Sequence, residues 1–237
     1  MFRLDLIVLF HQWCFCRFIF CTCFRQNENV CVNLQSVNIQ DSLESPMLTP
    51  FQLSILMNRK LKLWELNRPT VEEFKEKEKF PLVVVLDNIR SLANVGTFFR
   101  TADAFNVSKI ILGGITAKPP HREIQKTALG ATESIDWEHH ENLVDLLKNY
   151  QADGYKVYAV EQAEKTKLLH ELDIKTEEKH VLVFGNEVDG VQQEIIDIAD
   201  VVLEIPQFGT KHSLNVSVCA GVVLWEFVRK MAISSKL

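Results

Sequence analysis

Asn186, Glu187, Ser213 and Asn215 sit in two polar loops, Gly185-Asn-Glu-Val-Asp-Gly190 and Phe208-Gly-Thr-Lys-His-Ser-Leu-Asn215. Each loop follows a short apolar run, residues 181–184 for the first and 201–205 for the second, and each precedes a helical pattern. Ligand sites form where parallel strands end in loops that feed helices, because unpaired backbone groups and helix N-termini converge there. A carboxylate, two amides and a hydroxyl on such loops predict one composite site. Neither loop reads G-x-G-x-x-G or G-x-x-x-x-G-K-[ST], so the usual dinucleotide and phosphate fingerprints are absent. A nucleotide-like cofactor bound here would sit on something other than an ordinary Rossmann domain.

A third motif follows the apolar run 82–86: Asp87-Asn-Ile-Arg-Ser-Leu-Ala-Asn94-Val-Gly96-Thr-Phe-Phe-Arg100-Thr-Ala. Asn94 is a plausible N-cap for the next helix, with Arg100 nearly two turns in. Six residues turn through about 600°, so the two side chains project to different sides. The plain alternative is that Asn94 only caps and Arg100 is a surface charge, since most arginines are exposed.

These loops need a scaffold, and the pattern supplies one. β-branched-rich runs at 82–86, 109–112, 134–137, 156–160, 181–184 and 201–205 predict strands. Helical patterns lie between or after them at 95–105, 122–129, 141–150, 192–199 and 214–231. The stretch 165–172 reads as a short helix or a loop. Strand–helix alternation implies an α/β domain with a mostly parallel sheet covered on both faces. Before it, residues 71–79 read as a short, charged, solvated helix.

The chain has 237 residues, enough for one domain plus a short appendage. A net charge of -5 gives no global attraction to nucleic acid, so any such contact must use local basic patches. Cys14, Cys16, Cys21, Cys23 and Cys31 crowd the start of the chain, and only Cys219 lies further on. Their spacing fits no zinc pattern, so no metal site is expected. Cys219, inside an apolar helical run, reads as a buried inert thiol, and the main body as a reduced cytoplasmic protein. Asp5, His11, Gln12 and Arg17 interrupt the aromatic first 24 residues, short of the roughly 20 apolar residues a membrane helix needs. No stable membrane association is expected. Residues 1–56 read as a non-conforming extension, 57–80 as a charged lead-in opening at Met57, and 81–237 as the working domain.

Taken together, N-V-G-x-x-x-R-T-A-D-A-F, V-F-G-N-E-x-x-G and I-P-x-x-G-x-x-x-S-L-N-V-S-V resemble the three signature motifs of the TrmH-like (SpoU) RNA ribose methyltransferases of the SPOUT superfamily. Order and spacing match from about residue 81 to 229. The resemblance implies a six-stranded α/β domain with a C-terminal deep trefoil knot, a homodimer, and S-adenosyl-L-methionine held largely by backbone. By position Gly185, Ile205 and Leu214 would contact that cofactor. Arg100 would be the catalytic arginine, with Asn94, Glu187, Ser213 and Asn215 around it. Guanidinium stays protonated in proteins, so clamping a phosphate and stabilising an alkoxide suits Arg100 better than acting as a base. Glu187 would fix Arg100 or a motif partner.

Departures from the common pattern are Asn106, Val188, Gln207 and Cys219, and none removes a group the chemistry needs. Asn106 stands at a helix end where glycine is frequent, and Asn is the next-best residue there. Lys118, Arg122 and Lys126, with His121 beside them and Lys211 in the third motif, are candidate phosphate contacts; a solvated loop is the alternative. The implied reaction is 2′-O-methylation of a structured RNA. A tRNA is favoured over rRNA, and a non-catalytic knotted RNA-binding module is the alternative. No motif encodes a base, since the ribose hydroxyl is on every nucleotide.

Overall fold

Strand β1, Phe80–Asp87, shows in its burial why this sheet is central. Leu82, Val84 and Leu86 enter one apolar cluster, and Val83 and Val85 enter another on the opposite face. A strand covered on both faces reads as a continuous apolar run instead of alternating. Each such side chain contributes about 1.5–3 kcal/mol when fully buried. The computed structural model describes residues 59–234. The expected extension 1–56, with five of the six cysteines, lies outside the described residues.

After β1 come α2 (Leu92–Ala104), β2 (Val107–Gly113), α3 (Arg122–Ala128), α4 (Ala131–Ser134) and β3 (Asp136–His140). Then follow α5 (Leu143–Ala152), β4 (Tyr155–Val160), β5 (Lys167–Leu168) and β6 (Lys179–Phe184). The chain closes with α6 (Gln193–Ile198), β7 (Val201–Glu204) and α7 (Val216–Ser234). The strands pair in parallel in the order β3-β2-β1-β6-β4-β7-β5. Helices α2, α3 and α7 cover one face of this sheet, and α5 and α6 the other.

The sheet has seven strands, not the expected six. The extra one, β5, falls inside 165–172 and continues into a 3-10 turn at Leu169–Glu171. Two residues are too few for a period-of-two pattern to show in sequence. The strand expected at 134–137 begins only at Asp136, because residues 131–134 close a helical turn. The lead-in helix α1, Val71–Glu76, is shorter than expected and is not simply solvated. Thr70 and Glu73 form a capping box at its start, and Phe74 is buried in the main core. Asn106 does adopt the left-handed conformation, with φ 54°. Among the described residues no helix is long and apolar enough to cross a membrane.

Strand order decides where a site can form. The chain lays β1, β2 and β3 outward in one direction, then builds β4 and β7 on the other side, with β6 inserted beside β1. Loops leaving β1 and β6 therefore part at a topological switch point, where open α/β sheets bind ligands.

Candidate active site

The loop after β6 is a tight turn built to present Glu187. Asn186 Oδ1 accepts the backbone N–H groups of Val188 at 2.9 Å and Asp189 at 2.8 Å. Asn186 and Gly190 exchange backbone hydrogen bonds across the turn. A Cβ on Gly185 would lie 2.0 Å from the Gly190 carbonyl carbon, so only glycine lets the loop close on itself.

At the tip, Glu187 meets the first motif. Its carboxylate accepts Asn94 Nδ2 at 2.7 Å and the backbone N–H groups of Arg90 at 3.3 Å and Ser91 at 3.4 Å. Burial alone would raise its pKa. The bonds from Asn94, its own N–H, Arg90 and Ser91 outweigh that and hold the carboxyl below the ordinary range. Glu187 is thus a fixed anion at the head of α2.

Asn94 does not cap that helix as expected. Ser91 does, its Oγ accepting the Asn94 N–H at 3.3 Å, and the helix begins at Leu92. Asn94, 9% exposed, is freed for a bridging role. Its Nδ2 donates to Glu187 while its Oδ1 accepts Asn215 Nδ2 at 3.3 Å and Ser217 Oγ at 3.4 Å. Asn215 caps α7 in turn, with Oδ1 accepting the N–H groups of Ser217 at 2.9 Å and Val218 at 3.4 Å. One amide side chain thereby ties all three motifs together.

Beside this junction opens a cavity of about 500 Å³, within the usual range for small-molecule sites. Gly185, Ile205 and Leu214 all line it, as do Glu187, Ser213 and Asn215. Leu214 is 40% exposed, so it is a pocket wall more than a core residue. Cys219 also lines it, and burial first, then Glu161, push its thiol up to about 12, an unreactive state.

Arg100 lies elsewhere. It is exposed and lines a separate groove of about 550 Å³ with Arg68, Lys77 and Asp103, between α1 and the end of α2. Of the two expected partners for Glu187, Arg100 or another motif residue, it is the motif residue Asn94 that Glu187 holds, while Arg100 lines the other groove. The candidate phosphate contacts Lys118, Arg122, Lys126 and Lys211 are all exposed, and Arg122 and Lys126 share one face of α3, four residues apart. Gly96 sets α3 against α2: a Cβ there would fall 2.0 Å from Thr127 Oγ1 and 2.3 Å from the Ile124 carbonyl oxygen.

Sequence reasoning missed several parts. Ser217 stood in the third motif with nothing to single it out. Asp87, fully buried at the end of β1, accepts the Gln192 backbone N–H at 2.8 Å and anchors the chain just past the second motif. Glu161, at the end of β4, lines the cavity and accepts the Val191 N–H at 3.0 Å. A carboxylate directly after an apolar strand run was the available signal for both. Among the described residues no group of His, Cys, Asp and Glu could hold a metal ion.

Comparison with known proteins agrees with this geometry. The chain is 31% identical over 156 residues to a 23S rRNA (guanosine-2′-O-)-methyltransferase of Neisseria meningitidis, covering 66% of this chain and 61% of that one. It is 32% identical to a tRNA (guanosine(18)-2′-O)-methyltransferase of Aquifex aeolicus, covering 68% and 74%. The chain thus spans less than two thirds of the rRNA relative's length. A crystal structure of an AdoMet-bound rRNA methyltransferase from Sinorhizobium meliloti superposes with a TM-score of 0.60 and 31% identity, over 66% of this chain and 59% of that one. The SpoU rRNA Methylase family model matches residues 81–225, which include all three motifs, and the chain belongs to that family.

Proposed function

We propose that this protein transfers a methyl group from S-adenosyl-L-methionine to a ribose 2′-hydroxyl of a structured RNA. The observation that carries the reading is the Asn94 bridge, which joins three motifs at the edge of a cavity walled by Gly185, Ile205 and Leu214. Those residues fit the cofactor: close backbone at Gly185 and apolar walls at Ile205 and Leu214 suit an adenine ring. When bound, the cofactor supplies an electrophilic methyl group. Glu187, held ionised by its donors, is a poor base and serves as the anion that orients Asn94. Arg100 supplies the cation that holds an RNA phosphate and favours negative charge on the 2′-oxygen. Lys118, Arg122, Lys126 and Lys211 are the further phosphate contacts.

Arg100 and the cavity are brought together, in this proposal, by a homodimer. On α7 the residues Val218, Val222 and Trp225 are exposed, Trp225 by 57%, although its opposite side is buried in the core. A second copy is the simplest cover for such a stripe. Trp225→Glu is expected to shift a dimer to monomer in sedimentation at micromolar concentration and to lower transfer; a monomeric parent protein would defeat the idea. The family's trefoil knot belongs to the same reading. It is supported by β6 lying between two earlier strands and by the return of α7 to α2. A cytoplasmic location is part of the proposal too.

Incubating the protein with methyl-labelled cofactor and bulk RNA tests the function. Label should enter ribose 2′-positions, and Arg100→Ala should lower transfer by about a hundredfold to a thousandfold with cofactor affinity unchanged. Equal losses of both would make Arg100 structural, and no label at all would favour a non-catalytic RNA-binding module. We favour tRNA because the tRNA relative shares more of its length with this chain than the rRNA relative does. Mapping 2′-O-methyl positions with and without the protein decides between them.

A further inference from the structure

Phe208 is 95% exposed, more than any other large apolar side chain described. It lies in the loop between β7 and α7, at the mouth of the cavity, since Gln207 before it and His212 after it both line that cavity. Among the described residues, 207–213 make no hydrogen bond. Exposed Lys211 stands three residues on. An aromatic ring in water gains nothing for stability, whereas the same ring against a nucleobase gains a stacking partner. RNA is read mainly where bases are splayed out and stacked on aromatic side chains, with cations on the neighbouring phosphates.

We propose that Phe208 is the stacking platform for a nucleobase of the RNA strand entering the cavity, with Lys211 on the adjacent phosphate. The inference rests on the methyltransferase reading and adds to it the element that seats the substrate. A ribose whose 2′-hydroxyl reaches the cavity must leave its base, or its neighbour's, at the mouth. Phe208 is the large exposed apolar ring there, with His212 beside it on the cavity lining. A second copy of the chain is a poorer occupant, because the exposed stripe on α7 is uniformly apolar whereas Phe208 is embedded in Gly-Thr-Lys-His.

The test uses the full chain, bulk tRNA, and an oligoribonucleotide carrying 2-aminopurine, whose fluorescence is quenched on stacking. Phe208→Ala should weaken binding of both roughly tenfold to a hundredfold and abolish the quench, while cofactor affinity and oligomeric state stay as in the parent. Phe208→Trp should restore binding and quenching. Unchanged RNA binding and quenching in Phe208→Ala, or its dissociation to monomer, would overturn the proposal. If the parent binds RNA through Phe208 yet transfers no methyl group, the methyltransferase reading falls and the stacking role stands.

Discussion

Strand β6 and the loop that leaves it each carry a titratable side chain, one in the core and one at a loop tip, and they treat it in opposite ways. Glu187, three residues beyond the strand's last residue, is charged and surrounded by donors: Asn94 and the backbone of Arg90 and Ser91. His180, second in the strand, is fully buried with neither ring nitrogen hydrogen-bonded, packed on Tyr158 and Phe227. Both pKa values move down, for different reasons. Donors stabilise the anion of Glu187 against its burial. Burial expels the cation of His180, with Lys156 adding to the effect and the nearby Lys175 backbone opposing it. A side chain kept charged by dedicated donors marks a functional junction, whereas one kept neutral in an apolar setting is part of the packing.

Breaking the junction should have the larger effect. Asn94→Ala leaves Glu187 without its shortest hydrogen bond and Asn215 without its acceptor. Stability should fall by about 1–2 kcal/mol, the net worth of the lost hydrogen bonds, because the exposed Glu187 and Asn215 can turn to water. Glu187→Ala removes the same bond from the other side, so the double variant should cost clearly less than the sum of the two singles. Chemical denaturation of the two single variants and the double variant measures that coupling. Strictly additive losses would mean that the two residues only share a neighbourhood.

The contrast also explains what could be read from sequence. Glu187, Asn94 and Asn215 were legible because short polar loops at strand ends are rare enough to stand out, and the parallel sheet followed from apolar runs alternating with helical patterns. The bridging role of Asn94 was not legible. It depends on Ser91 taking over the cap, and both residues are good N-caps. The separation of Arg100 from the cavity was hidden as well: six residues along a helix fix an angle, but not which groove the side chain enters. Strand β5 escaped because two residues carry no period. His180 lay just before the expected strand 181–184 and drew no reading, since neither period nor motif reports whether a buried ring finds a partner.

The last test concerns that histidine, whose effect is small at neutral pH and grows only on acidification. Its folded pKa is pushed down to about 4 from 6.5. Between those values the unfolded chain binds a proton that the folded one refuses, so stability present above pH 6.5 is lost as pH falls towards 4. At pH 5 the loss relative to pH 7 comes to about 2 kcal/mol from this one group. Glu187 also destabilises the fold on acidification, but its loss starts only as pH falls below the ordinary value of 4.5 and runs down to its lower folded value, so it adds little between pH 7 and pH 5. His180→Phe fills the site with a ring of similar size and no titration. Its denaturation midpoint should therefore fall less than the parent's between pH 7 and pH 5. Parallel losses in parent and variant would show that His180 accepts a proton in the folded state, which its unpartnered, fully buried ring argues against.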